Sequence, residues 1–174
     1  MRGVNTMAEK ALYVLAGYDD DTEKLLSGIQ NKLYEQGFSG IQTKGIPMHF
    51  TMGSYNTSRE EELRKRIRII ADTHKPFRVE FNHVGLFRLP ENDVLFVAPE
   101  VSREMLLLKD EFMDSEDEFG WSAHTTMLID KREVIEKATQ IVLDELPIPS
   151  GTVTSLHLFE FWPARHIMSV QFNE

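Results

Sequence analysis

The chain of 174 residues contains no cysteine. That excludes disulfide staples, thiolate zinc sites and a cysteine nucleophile, and it fits a reducing cytoplasm. No apolar run approaches the roughly 20 residues a membrane helix needs, and the N-terminus carries no secretory hydrophobic segment, so no membrane partner is expected. Positive charge is scarce too: 19 Lys and Arg stand against 28 Asp and Glu, a net charge of −9. Tight binding to long RNA or DNA requires a Lys/Arg footprint over several phosphates. The one basic cluster, Arg64 to Arg68, falls inside a helical pattern behind three glutamates, where it reads as a solvated face. A long nucleic acid is therefore not expected. A small anion in a local pocket is compatible, because only the pocket's own potential matters to it.

What is present is a pattern that runs twice. "ALYVLAGY" is β-prone and breaks into three aspartates, which suit the first turn of a helix whose Leu25, Leu26, Ile29 and Leu33 form one stripe. "IPMHFTMGSY" reads as a strand. The next helix opens with Ser58 and Glu61 in capping-box register, and "FRVEFNHVGLF" alternates as a third strand. After "LPEN" (Leu89 to Asn92) the order restarts. "DVLFVAPEV" is a strand, a helix capped by Ser102 follows, "GWSAHTTMLID" is a strand, and a helix with Val134, Ala138, Ile141 and Val142 on its buried face leads to "TSLHLFEFW". "HIMSVQF" adds a last strand, paired to it through the turn near Pro163. The expectation is an α+β fold of duplicated β-α-β-α-β lobes, 1–90 and 91–174, related by a pseudo-twofold axis within one bilobed domain.

His-x-Thr occurs once in each half, at His49–Thr51 and His124–Thr126, 75 positions apart and each time followed by methionine. Six histidines and eleven threonines would give about 0.4 such matches by chance, so the motif alone says little. Its matching slot, the middle strand of each half, says more. Strand side chains alternate faces, so each His and its Thr point the same way while Phe50, Met52, Thr125 and Met127 point into the core. Packed about a pseudo-twofold, two imidazoles and two hydroxyls would face one cleft. One imidazole takes a proton while the other gives one, and the hydroxyls donate to phosphoryl oxygens.

These residues resemble the 2H phosphoesterase superfamily, the 2′-5′ RNA ligase-like proteins and cyclic phosphodiesterases, which is named for two H-x-[Ser/Thr]-hydrophobic motifs. The matching stretches are "HFTM" and "HTTM"; methionine stands where many members carry leucine, and "GSYN" replaces the aromatic-Leu-Gly run of bacterial members. The resemblance implies antiparallel-rich sheets around a central cleft. It implies hydrolysis or reversible ligation of 2′,3′-cyclic or 2′-5′ phosphodiester bonds, without a metal or other cofactor, in small nucleotides or RNA ends. His49 and His124 become the acid–base pair, and Thr51 and Thr126 the phosphate-binding hydroxyls. A non-catalytic nucleotide- or protein-binding module on the same fold is the competing reading.

Around this site, Arg165, Arg88 and Lys44 are candidates for positive charge, and Tyr55 and Tyr18 for stacking on a base. His74, His83, His157 and His166 lack a Ser or Thr two residues on and read as structural or surface residues. Trp121 reads as core, and "DSEDEF" (Asp114 to Phe119) as a solvated turn.

Overall fold

The computed structural model describes residues 10–41, 44–117, 120–146 and 150–174. Strand β1 (Ala11–Tyr18) runs into helix α1 (Asp20–Glu35), whose N-cap Asp19 accepts from the Thr22 amide at 2.9 Å while Asp20, Asp21 and Glu23 meet the helix dipole. Gly37, at φ 89°, ends the helix: the Gly37 and Phe38 amides donate back to Tyr34 and Leu33 carbonyls, a closure that needs a left-handed residue. Then come β2 (His49–Asn56), a 3₁₀ turn (Thr57–Arg59), α2 (Glu60–Thr73) and β3 (Phe77–Arg88). The predicted Ser58 cap is not the one used. Asn56 accepts from the Ser58 amide at 3.0 Å and starts the 3₁₀ turn instead.

The second half repeats the order with β4 (Asp93–Pro99), α3 (Arg103–Asp110), β5 (Thr125–Asp130), α4 (Arg132–Glu145) and β6 (Ser150–Phe161). Ser102 caps α3 through the Met105 amide at 3.1 Å, and Ile135, Ala138 and Val142 carry the buried face of α4. Strand β7 (Arg165–Gln171) pairs antiparallel with β6. No helix among the described residues is long and apolar enough to cross a membrane.

All strand pairs are antiparallel, in the order β2-β1-β6-β3-β4-β5. Exchanging β1 with β4, β2 with β5 and β3 with β6 reads that order backwards, which is the pseudo-twofold. The third strand of each sequence half lies beside the first strand of the other: β3 along β4, β6 along β1. The two halves meet where β3 and β6 pair through Phe77 to Glu80 and Ser150 to Val153. Helices cover one face of the sheet over a continuous core that includes Leu12, Leu26, Phe50, Met52, Leu63, Met127 and Ile135, all fully buried. Each such side chain contributes about 2 kcal/mol by leaving water. The motif strands β2 and β5 are left at the two ends of the sheet.

Reciprocal contacts satisfy those two edges. On β2, the Thr51 carbonyl accepts from Trp121 Nε1 (2.8 Å), the Met52 carbonyl from Lys109 Nζ (2.6 Å) and the Ser54 carbonyl from the Glu116 amide (2.8 Å). On β5, the Thr126 and Met127 carbonyls accept from Gln30 Nε2 (3.5 and 3.1 Å) and the Ile129 carbonyl from the Ile41 amide (2.8 Å). The three acceptors on β5 lie 75 positions after those on β2, as do His124 and Thr126 after His49 and Thr51. Each half thus holds the other half's motif strand. An open edge is a template for unwanted pairing, and this latch closes both edges with the chain itself.

The segment beginning at Asp114 is accordingly no free turn. Asp114 pairs with Arg59 and Arg66 (2.7 and 2.9 Å), Asp117 accepts from Ser54 Oγ (2.7 Å), and Ser115 packs so closely on Gly53 that a Cβ there would meet it at 2.7 Å. Glu118 and Phe119, the end of the predicted turn, lie outside the described residues.

Candidate active site

Cross-strand register fixes which side chains share the face opposite the helices. His49 pairs with Gly17 and Thr51 with Leu15, so both motif side chains look away from the Phe50–Met52 core. In the other lobe Thr126 pairs with Phe96. Thr125 and Met127 turn to the core, where Thr125 Oγ1 shares a 2.6 Å hydrogen bond with Tyr18 Oη. His124 differs from expectation: it precedes β5 rather than lying in it, because the pairing with β4 begins at Thr125. Its ring is held instead against Phe87 (4.8 Å, edge-on) and Phe96 (5.4 Å).

The two histidines have the same local anchor. His49 Nδ1 lies 2.6 Å from the Pro47 carbonyl, and His124 Nδ1 lies 2.7 Å from the Ser122 carbonyl, two residues upstream in each case. A carbonyl only accepts, so Nδ1 carries the hydrogen and Nε2 is left to exchange a proton with a ligand. Ring orientation is fixed by backbone, before any substrate arrives.

A hollow of about 130 Å³ opens beside His49, with Pro47, Met48, Gln30, Thr125 and Thr126 in its wall. It has room for about four water molecules, the scale of an anion and its hydration. It brings His49 and Thr126, from opposite lobes, to one space. Thr51 and His124 stand outside its lining. The histidines still sense each other. Burial pushes His49 down to about 4 against the bond from Pro47, and the charge of His124 pushes it further down. Burial also lowers His124, opposed by its Ser122 bond. Both shifts favour the neutral imidazole, and a neighbouring anion opposes them.

The candidate cations and stacking rings are elsewhere. Arg165 is bound to Glu60 and Glu160, Arg88 is paired with Asp93, and Lys44 lies over the Tyr34 ring. Tyr55 and Tyr18 are 1% and 7% exposed, with no face to offer a base. Trp121 packs partly buried against the core, and its Nε1 bond to Thr51 makes it part of the latch on the motif strand. Among the described residues no group of three His, Asp or Glu side chains is arranged to hold a metal ion.

One histidine that read as structural lies on the cleft face. His157 pairs across β1 with Leu15, in the same row as Thr51, and Ser155 pairs with Gly17, in the same row as His49. Ser155-x-His157 puts a hydroxyl and an imidazole on one strand face by the same two-residue spacing as the motifs, with the order reversed. That spacing was the available signal.

With this geometry in hand, comparison with known proteins is decisive on class. Residues 19–161 match the 2′-5′ RNA ligase superfamily, and the chain belongs to that family. Membership supports a phosphoesterase-type function. Among solved structures the fold is similar to Escherichia coli LigT in apo form (13% identity, TM-score 0.59, 95% of this chain and 98% of that one). It is also similar to TT0787 of Thermus thermophilus (14%, 0.61, 93% and 97%) and to Kluyveromyces marxianus Usb1 with uridine monophosphate (11%, 0.51, 94% and 98%). At these identities the likeness is one of fold. Among curated proteins, none matches the chain by sequence.

Proposed function

We propose that the protein hydrolyses, or reversibly forms, 2′,3′-cyclic or 2′-5′ phosphodiester bonds of small nucleotides or RNA ends, using His49 and His124 as an acid–base pair. The observation that carries this reading is the matched anchoring of the two rings, each with Nδ1 on a carbonyl two residues upstream and Nε2 unengaged among the described residues. A structural histidine has no need of a free nitrogen; a proton carrier does.

In hydrolysis a water oxygen forms a bond to phosphorus while His49 Nε2 takes the water's proton. The bond from phosphorus to a ribose oxygen breaks, and His124 Nε2 supplies the proton that oxygen needs. Thr51 and Thr126 donate to the non-bridging oxygens, where charge grows. Burial and the charge of His124 both oppose protonation of His49, which favours His49 as the base and His124 as the acid. Relatives support the ligand class: structures of LigT hold 3′-AMP and ATP, and the Usb1 structure holds uridine monophosphate. The net negative charge supports a nucleotide or RNA terminus over a long polymer.

The test is a panel of nucleoside 2′,3′-cyclic phosphates and 2′-5′-linked dinucleotides, assayed with chelator present. Turnover that is lost in both His49→Ala and His124→Ala supports the proposal. Nucleotide binding without turnover, unchanged by either substitution, would favour a binding module.

A further inference from the structure

The two motif histidines share a local anchor but not a neighbour. The β6 position facing His49's lobe is His157, and its counterpart under the pseudo-twofold, the β3 residue beside Phe96, is Gly85. Gly85 leaves room for the Phe96 ring to lie across it. On the other side Gly17 leaves room for His157: a Cβ on Gly17 would collide with His157 Nε2 and meet Ser155 Oγ at 2.6 Å. The His157 ring thus leaves its own row and reaches over Gly17, the residue paired with His49.

That ring is fixed from both ends. Nδ1 bonds to Ser169 Oγ at 2.6 Å and Nε2 to Ser155 Oγ at 3.1 Å, while Ser169 Oγ also bonds to His166 Nε2 at 2.8 Å. Every partner is a hydroxyl, which serves a neutral imidazole as well as a charged one and gives no reason to hold a proton. His124, by contrast, lies against two phenyl rings, Phe87 and Phe96, and no hydroxyl holds its ring among the described residues.

We propose that His157 is a positioning residue: lying over Gly17 and pinned between Ser155 and Ser169, it closes the flank of the His49 ring to water and thereby keeps His49 the proton acceptor of the pair. This rests on the two-histidine reading above and deepens it. Among the described residues, the charges that act on His49 and His157 come from other histidines. His49 meets His124 from the β5 side and His157 from β6; His157 meets His49 from β2 and His166 from β7; β1 contributes only Gly17 and Leu15. The Glu23 carboxylate of α1 is taken by the Met48 amide at 2.8 Å. In keeping with this placement, burial and the charges of His49 and His166 push His157 down to about 4.

The experiment follows His49 in the full chain by histidine NMR titration, alongside the pH dependence of kcat/KM on a nucleoside 2′,3′-cyclic phosphate. Wild type, His157→Ala, His157→Gln and His49→Ala are compared. His157→Ala admits water beside His49, so the His49 titration and the acid limb of the profile should both move up by about one pH unit, a tenfold loss on that limb. His157→Gln, which keeps bulk and hydrogen bonds to the serines, should restore most of the wild-type curve. A role in folding alone would lower thermal stability and leave both curves in place, and that result overturns the proposal. Should the alanine variant fail to fold, Ser169→Ala, which frees one end of the ring, must move the His49 titration in the same direction. The readings fail separately: undiminished activity in His49→Ala removes the reaction, whereas loss in His49→Ala with no shift in the His157 variants removes only this inference.

Discussion

The surroundings of the two motifs differ although their backbones match. On the first lobe the row across the sheet is Thr51, Leu15, His157; on the second it is Thr126, Phe96, Gly85. One row ends in an imidazole bound by serines, and the other lies beside phenyl rings packed on His124. A symmetric frame with symmetric surroundings would give two histidines of equal basicity, each as willing as the other to accept a proton. Here the duplication repeats the anchoring of the two rings, and the departures from it give them different neighbours.

The largest expected effect comes from removing either member of the pair: His49→Ala or His124→Ala should lower kcat/KM for a cyclic phosphate by about 10²–10⁴. Equal activity in one variant would break the comparison at its root. Replacing a threonine is the next test. Thr51→Val and Thr126→Val each remove one hydroxyl donor to a charged oxygen, about 1.5–3 kcal/mol or roughly 10–100-fold in rate, with the two lobes alike. A large effect from one threonine and none from the other would show that the phosphate sits on one wall only.

The latch gives a stability counterpart. Lys109→Met and Gln30→Leu each strip β-strand carbonyls of their donors, on β2 and β5 respectively, and should each cost about 1–3 kcal/mol by denaturant unfolding. Unchanged stability in both would mean the edges are satisfied by water. A further effect is on pH. His49 and His157 have folded values near 4, below the ordinary 6.5, so unfolded chains bind more protons in that window. The stability contribution is complete above about pH 6.5 and is lost as pH falls from there towards 4, which thermal melts across that range will show. Melts that strengthen on acidification would contradict the burial of these rings.

Much of this was legible in the chain. The repeat of strand and helix patterns, the 75-residue spacing and the alternation that puts His49 and Thr51 on one face are properties of local sequence, and the elements formed where those patterns lie. What sequence could not carry was pairing between distant strands. Nothing in "FRVEFNHVGLF" says that β3 crosses to the second lobe, nor in Asp114 to Asp117 that this stretch straps the edge of β2. His124 reads as part of its strand because alternation continues through Ala123, yet β4 pairing stops one residue short of it. Arg165 and Arg88 were equal candidates for the cleft until acids on neighbouring elements claimed them. His157 does not stand out in the sequence because its companion serine precedes it, and the register through Gly17 and Leu15 places it on the motif face.

The central claim is that the two imidazoles serve one phosphorus centre from opposite lobes. Its most direct test is a crystal structure with phosphate or a nucleoside monophosphate bound. The account predicts both Nε2 atoms within hydrogen-bond reach of the same phosphoryl group, about 2.6–3.2 Å, with the threonine hydroxyls on its remaining oxygens. An anion held by one histidine alone, or bound away from both, would contradict it.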